Sequence, residues 1–288
     1  MPHQRRMFAP LLSIALLGML AAASAGAQDK DEGEAPKAVP AELQPAVTRA
    51  EFLGRQMYLH DRAAWLATDA MLADKRMRKL KNSVGGWLTE PSALGVRVIF
   101  VDRGDTPRRL YEIDVDEAER LSEATVESPT PLTAEHLAQL RARKLAASQP
   151  YMACAQRYNV VVLPSSGGMR VYEMPGFSKQ DVYPLGGYHL FEIDGAGEKI
   201  LSSRKFTNGC IEHDDSGLPD RAMADGFKPA GAMFTHLLDP QPTEVHVFVS
   251  LYARQPIMVS TTSNRVLWLV ERGAIRKLDS LADAKAQP

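Results

Sequence analysis

The chain has 288 residues, 45% of them apolar and 24% charged, and its 34 basic and 35 acidic side chains leave a formal charge of −1. This composition excludes a disordered, fibrous or multiply membrane-spanning protein and allows one sizeable core. Near-neutrality also excludes the basic surface that nonspecific nucleic-acid binding needs.

Arg5 and Arg6 precede the apolar run FAPLLSIALLGMLAAA, and ASAGAQ then supplies small residues suited to a processing site. Residues 1–27 therefore read as a signal peptide cleaved near Ala27. The expected location is periplasmic or secreted. No later window approaches the roughly 18 apolar residues of a membrane helix, so no stable membrane insertion is expected after cleavage. Two of the basic residues and none of the acidic ones lie in this leader, which puts the mature charge at −3. Residues 28–45, acidic and proline-bearing, read as a flexible linker because they offer little apolar surface to offset ordering. Cys154 and Cys210 are the whole thiol inventory, and in an exported chain two cysteines read as one disulfide.

In the mature chain a long amphipathic helix is expected first. Thr48 and Glu51 form a capping box, and Phe52, Leu59, Ala63, Leu66, Ala70, Ala73, Met77 and Leu80 recur at helical spacing. From Gly86 the period changes to two, and GWLTE, GVRVIFVDR and RRLYEIDVD predict a small antiparallel meander. LTAEHLAQLRARKLAA predicts a second helix with Thr133 as N-cap. Hairpins follow around Ser166–Gly168 and around the turn DGAGE. Three or four strands are expected from residue 244 to 278, with Val245, Val247, Val249 and Leu251 sharing one face. Turns this closely spaced suit antiparallel pairing better than βαβ crossovers. The fold class is α+β: the N-terminal amphipathic helix and the second helix packed on a largely antiparallel β-sheet region. Residues 46–150 would form a helix–meander–helix region joined in one domain to a β-rich region at 151–278, with a tail at 279–288.

The blocks PLGGYHLFEIDGAGEKILSSRKFTNGC and THLLDPQPTEVHVFVSLYARQPIMVSTTSNRVLWLVERGAIR, with GRQMYLHDRAAWLATD near the start, are similar to a group of exported bacterial proteins that has no established activity. The resemblance spans most of the mature chain. It implies export and a shared architecture, and transfers no catalytic residue.

Three constellations could carry chemistry. TNGCIEH resembles the Ser/Thr-His-Gly-Cys-Ile/Val-Arg signature of L,D-transpeptidases, exported cysteine enzymes acting on peptidoglycan. Thr207, Gly209, Cys210 and Ile211 match it, while Asn208 stands in place of the His and Glu212 in place of the Arg. In that reading Cys210 is the nucleophile and His189 the general base. An acid beside the thiol opposes thiolate formation, and the disulfide with Cys154 accounts for the same residue. A second set, His213 with Asp214 and Asp215, His236 and His246, has the donor types of a divalent-metal site but no fixed ligand spacing. Third, Tyr172, Phe177, Tyr183 and Tyr188 could line a groove, or simply pack within sheets. His60 reads as a packed side chain and His136 as a surface residue. No pattern calls for a cofactor, and none names a partner. The expectation is a non-catalytic periplasmic accessory or binding protein stabilised by one disulfide, with the cysteine enzyme and then the metal protein as alternatives.

Overall fold

The computed structural model describes residues 38–125, 129–177, 179, 181–214 and 231–279. The expected signal peptide with its cleavage site, residues 28–37 of the linker, Asp215 and residues 280–288 of the tail lie outside the described residues.

Helix α1 (Gln44–Ala73) starts four residues before the expected capping box, with Pro45 in its first turn. There the missing N–H of proline has no intrahelical acceptor to lose, so the helix need not wait for Thr48. Val39 and Leu43 already pack against the core, so the linker ends earlier than residue 45. At the other end the Asp74 carboxylate accepts from the Arg76 N–H, and the chain tightens into 3-10 turns at Lys75–Lys79 and Lys81–Ser83. Met77 and Leu80, expected on the long helix, ride on these turns.

At 30 residues, α1 is about 45 Å long and serves two cores. Its C-terminal half, with Ala63, Ala67 and Met71, packs on a four-stranded antiparallel meander of β1 (Val84–Pro91), β2 (Gly95–Asp102), β3 (Arg108–Asp116) and β4 (Thr130–Pro131). Strand β2 is covered on both faces. Val96, Val98 and Phe100 meet α1, while Ile99 and Val101 pack with Leu140 of helix α2 (Ala134–Ala147). Thr133 caps α2, accepting from the His136 N–H. His136 itself is buried against Glu90 at 2.9 Å and does not lie at the surface as expected.

A second antiparallel sheet has the order β5 (Tyr158–Ser165), β6 (Gly168–Pro175), β8 (His189–Asp194), β9 (Ile200–Lys205). Between β6 and β8, β7 (Val182–Pro184) leaves to pair with β10 (Glu212–Asp214). Pleating divides the sheet cleanly: Val171, Phe191 and Ile193 face Ala138, Ala142 and Ala146 of α2, whereas Tyr172, Met174 and Leu190 face the opposite core. Strand β9 is the outer edge, with five of its six residues exposed.

The third sheet orders β11 (Ala232–His236), β12 (Ile257–Thr261), β13 (Val266–Glu271) and β14 (Ala274–Leu278). Residues 244–253 form helix α3, not the expected strand. Every side chain from Glu244 to Ser250 is buried, so the alternation of Val with His and Phe carried no facial information. Because α3 connects β11 to β12, those two strands run parallel, a βαβ unit in an otherwise antiparallel fold. Gly54 of α1 makes room for this helix: a Cβ there would lie 2.5 Å from the Val247 Cβ and 2.6 Å from the Glu244 carbonyl oxygen. The main core joins α3, the N-terminal half of α1, the Tyr172 face of the second sheet and Trp268 of β13. The regions 46–150 and 151–278 thus share α1 and α2 as common walls.

Candidate binding groove

Cys154 and Cys210 form a disulfide, with Cα atoms 5.3 Å apart, and there is no free cysteine among the described residues. The glycines before β8 make its seat. Gly187 has φ +88°, and a Cβ there would fall 2.7 Å from the Cys154 Sγ. Gly186 packs as closely on the backbone of Gly209 and Cys210, its N–H donating to the Ile211 carbonyl. Thr207 Oγ1 accepts from the Gly187 N–H and donates to the Gly209 carbonyl. The TNGC segment is therefore a turn docked on the glycine pair and stapled there. With its sulfur in the disulfide, Cys210 has no thiolate to offer.

His189 lies near this staple, on β8, with its ring 4.3 Å from that of Tyr151 and a hydrogen bond to the Met152 carbonyl. Its Nε2 is buried without a partner. Directly opposite on β6 stands Glu173, 1% exposed, whose Oε1 is also unpartnered. Burial raises the Glu173 carboxyl to about 7, against the pull of the buried Arg143 guanidinium. Arg143 donates to the Trp87 carbonyl and is itself lowered to about 10 by burial. Burial likewise lowers His189. These groups form a polar cluster under α2, and Glu173, Arg143 and Tyr151 were not anticipated from the sequence.

Among the described residues, which leave out Asp215, the metal set does not assemble. No group of three His, Cys, Asp or Glu side chains able to hold a metal occurs among the described residues. His236 and His246 are neighbours, with rings 4.8 Å apart, but each commits one ring nitrogen to another partner. His246 Nδ1 accepts from the Thr243 N–H at the start of α3, and His236 Nε2 pairs with Asp239 at 2.9 Å. Burial, with a contribution from His236, depresses His246 to about 3. His213 lies apart, edge-on to Phe234. The aromatic quartet lines no groove either: Tyr172 and Tyr188 are core residues, and Phe177 stacks on Tyr252 at 3.8 Å.

An open groove of about 380 Å³ runs instead between the first turns of α1, strands β8 and β9, and the loop leading into α3. This volume falls in the range of small-ligand sites. Arg49 reaches in from α1 with its side chain 60% exposed and 3.9 Å from Glu192, and its charge also acts on the Glu244 carboxyl. Glu192 already accepts from Arg170 at 2.9 Å. Arg204 of β9 donates to Asp239 and lies over the Phe206 ring. Burial works against the Asp239 charge, but His236 and Arg204 hold its carboxyl below the usual range. Glu244 lies on the floor, bonded by the Tyr172 hydroxyl, and burial pushes its carboxyl up. Ser202 and Gln241 border the groove with polar side chains, while Ser203, paired with Phe191, turns its side chain to the other face of the sheet.

No family model, curated protein or solved structure matches this chain. The functional case therefore rests on the geometry of this groove, which gathers residues from positions 46 to 244. No local motif could have announced it. The one available signal was the polar stretch SSRK on a strand otherwise patterned as an edge.

Proposed function

We propose that the protein is an exported, non-catalytic accessory or binding protein, closed by the Cys154–Cys210 disulfide, whose ligand surface is the groove beside β9. The observation that carries this reading is the groove itself: a concave site of ligand size bordered by polar side chains and by the exposed Arg49. Rigid sheet edges presenting adaptable polar groups are common recognition surfaces. Export is supported by the leader-like residues 1–27, by the disulfide, and by the lack of any helix among the described residues long and apolar enough to cross a membrane.

Two measurements test this proposal. Intact mass of the exported protein, alkylated with and without reduction, should show two labels only after reduction and an N-terminus near residue 28. Activity on peptidoglycan fragments, assayed with oxidised and reduced protein, should be absent in both states. Turnover by the reduced protein that disappears in Cys210→Ala would replace the binding role with the cysteine-enzyme reading.

A further inference from the structure

We infer that the cavity between the start of β1, the β2–β3 turn and α2 is a second binding site, separate from the groove beside β9, which takes an oxyanion (a carboxylate or phosphate group) on the guanidiniums of Arg103 and Arg143. The cavity is open, measures about 390 Å³ and is hollowed out at a glycine. Gly86 stands two residues before Leu88 on β1 and opposite Val101 on β2, so it belongs to the strand face that α2 covers. Leu88 and Val101 fill that face with Leu140, but at Gly86 a Cβ would meet nothing within 4 Å. The missing side chain leaves the space, and Arg143 of α2 and Arg103 of the turn border it.

Neither guanidinium has a carboxylate partner among the described residues. Arg103 Nε donates to the Val84 carbonyl and Arg143 Nη1 to the Trp87 carbonyl, both neutral acceptors. The other Arg143 donors have no partner among the described residues and are not fully enclosed, so they open on the cavity. The Arg143 Cζ lies 5.4 Å from the centroid of the Trp87 ring, again an uncharged group. Asp102, the one acid lining the cavity, is held by Arg108 at 3.2 Å and by the N–H groups of Gly104 and Arg108. Glu173, whose charge acts on Arg143, makes no hydrogen bond with it. Even with both carboxyls ionised, the three guanidiniums of Arg103, Arg108 and Arg143 outnumber them, so the surplus does not depend on a protonation state. Asp105, on the same turn, does not line the cavity. Burial lowers Arg143 to about 10, as expected of a charge without a close counterion. Guanidinium forks match the oxygens of a carboxylate or phosphate. A cation would meet two like charges, and a neutral ligand would leave both without a counterpart.

The test is an NMR titration of the oxidised protein at constant ionic strength, following the backbone amides of Gly85 and Gly104. Inorganic phosphate and acetate are the two anion arms; 1,5-diaminopentane and sucrose are the controls. Two variants probe the site: Arg143→Gln removes the inner guanidinium, and Gly86→Leu fills the space with both arginines in place. Saturable shifts of the two amides are expected with at least one anion, weakened about tenfold or more in each variant. Phosphate alone assigns a tetrahedral ligand, acetate alone a planar one. If Arg143→Gln does not fold, Gly86→Leu decides alone, because its Cβ meets no protein atom. Undiminished anion affinity in either folded variant overturns the inference. So do shifts with only the diamine or the sugar, or no shift with any probe. The amides of Ser202 and Gln241, read in the same spectra, report the groove beside β9 separately, so either site can fail while the other stands.

Discussion

Glu173→Gln tests the buried carboxyl beneath α2. Glu173 is 1% exposed, and its carboxyl is raised from 4.5 to about 7, chiefly by burial. An unfolded chain releases this proton near pH 4.5, whereas the folded chain holds it to about pH 7. Between those values the folded state binds more protons, so this group's contribution to stability falls as pH rises and then levels off. A shift of that size corresponds to about 3 kcal/mol between pH 4.5 and pH 8. Gln is nearly isosteric and does not ionise, so the variant lacks this pH-dependent loss. Removing the carboxylate that faces Arg143 adds a separate cost, but one that enters mainly above pH 7, where Glu173 is charged in the wild type, and that is already contained in the raised value. Wild-type stability alone does not isolate the effect, because His60, lowered to about 4, and His246, lowered to about 3, slope the opposite way. The difference between variant and wild type does isolate it. Urea denaturation followed by tryptophan fluorescence at pH 4.5 and pH 8 gives that difference at each pH. The variant should gain about 3 kcal/mol relative to wild type across the interval. A difference that is the same at both pH values within about 0.5 kcal/mol would refute the premise that burial raises the Glu173 carboxyl in the folded protein.

Replacing both Cys154 and Cys210 by Ala opens a loop with a sequence separation of 56 and should cost about 4 kcal/mol on the chain-entropy model, read as a lower urea midpoint. Gly187→Ala places a Cβ 2.5 Å from the Cys154 Cβ on a residue with φ +88°, and should cost about 2 kcal/mol or more while leaving a larger alkylatable fraction without reduction. Burial, with a contribution from His236, keeps His246 neutral in the fold, so its contribution is present above pH 6.5 and is lost as pH falls toward 3. Between pH 6.5 and pH 4 that loss is about 3 kcal/mol, and in His246→Gln the corresponding acid dependence should be absent from the denaturation profile.

Features governed by neighbouring residues were legible in the sequence. The capping Thr133, the hairpin turns at Ser166–Gly168 and DGAGE, and the alternation of β2 and β3 each depend on a few adjacent positions, and the structure follows them. Two cysteines and a leader-like N-terminus sufficed to anticipate the disulfide, because no third thiol competes for either partner. Burial, by contrast, is a property of the assembled layers. Val245–Ser250 became a helix because all its sides are covered, which erases the periodicity that separates strand from helix, and that helix made β11 and β12 parallel. His136 and Glu173 carry polar types that ordinarily face water, and only the packing of α2 against two sheets encloses them. The groove is the furthest from any local signal. Its members become neighbours only because α1 and the α3 loop close over the β9 edge.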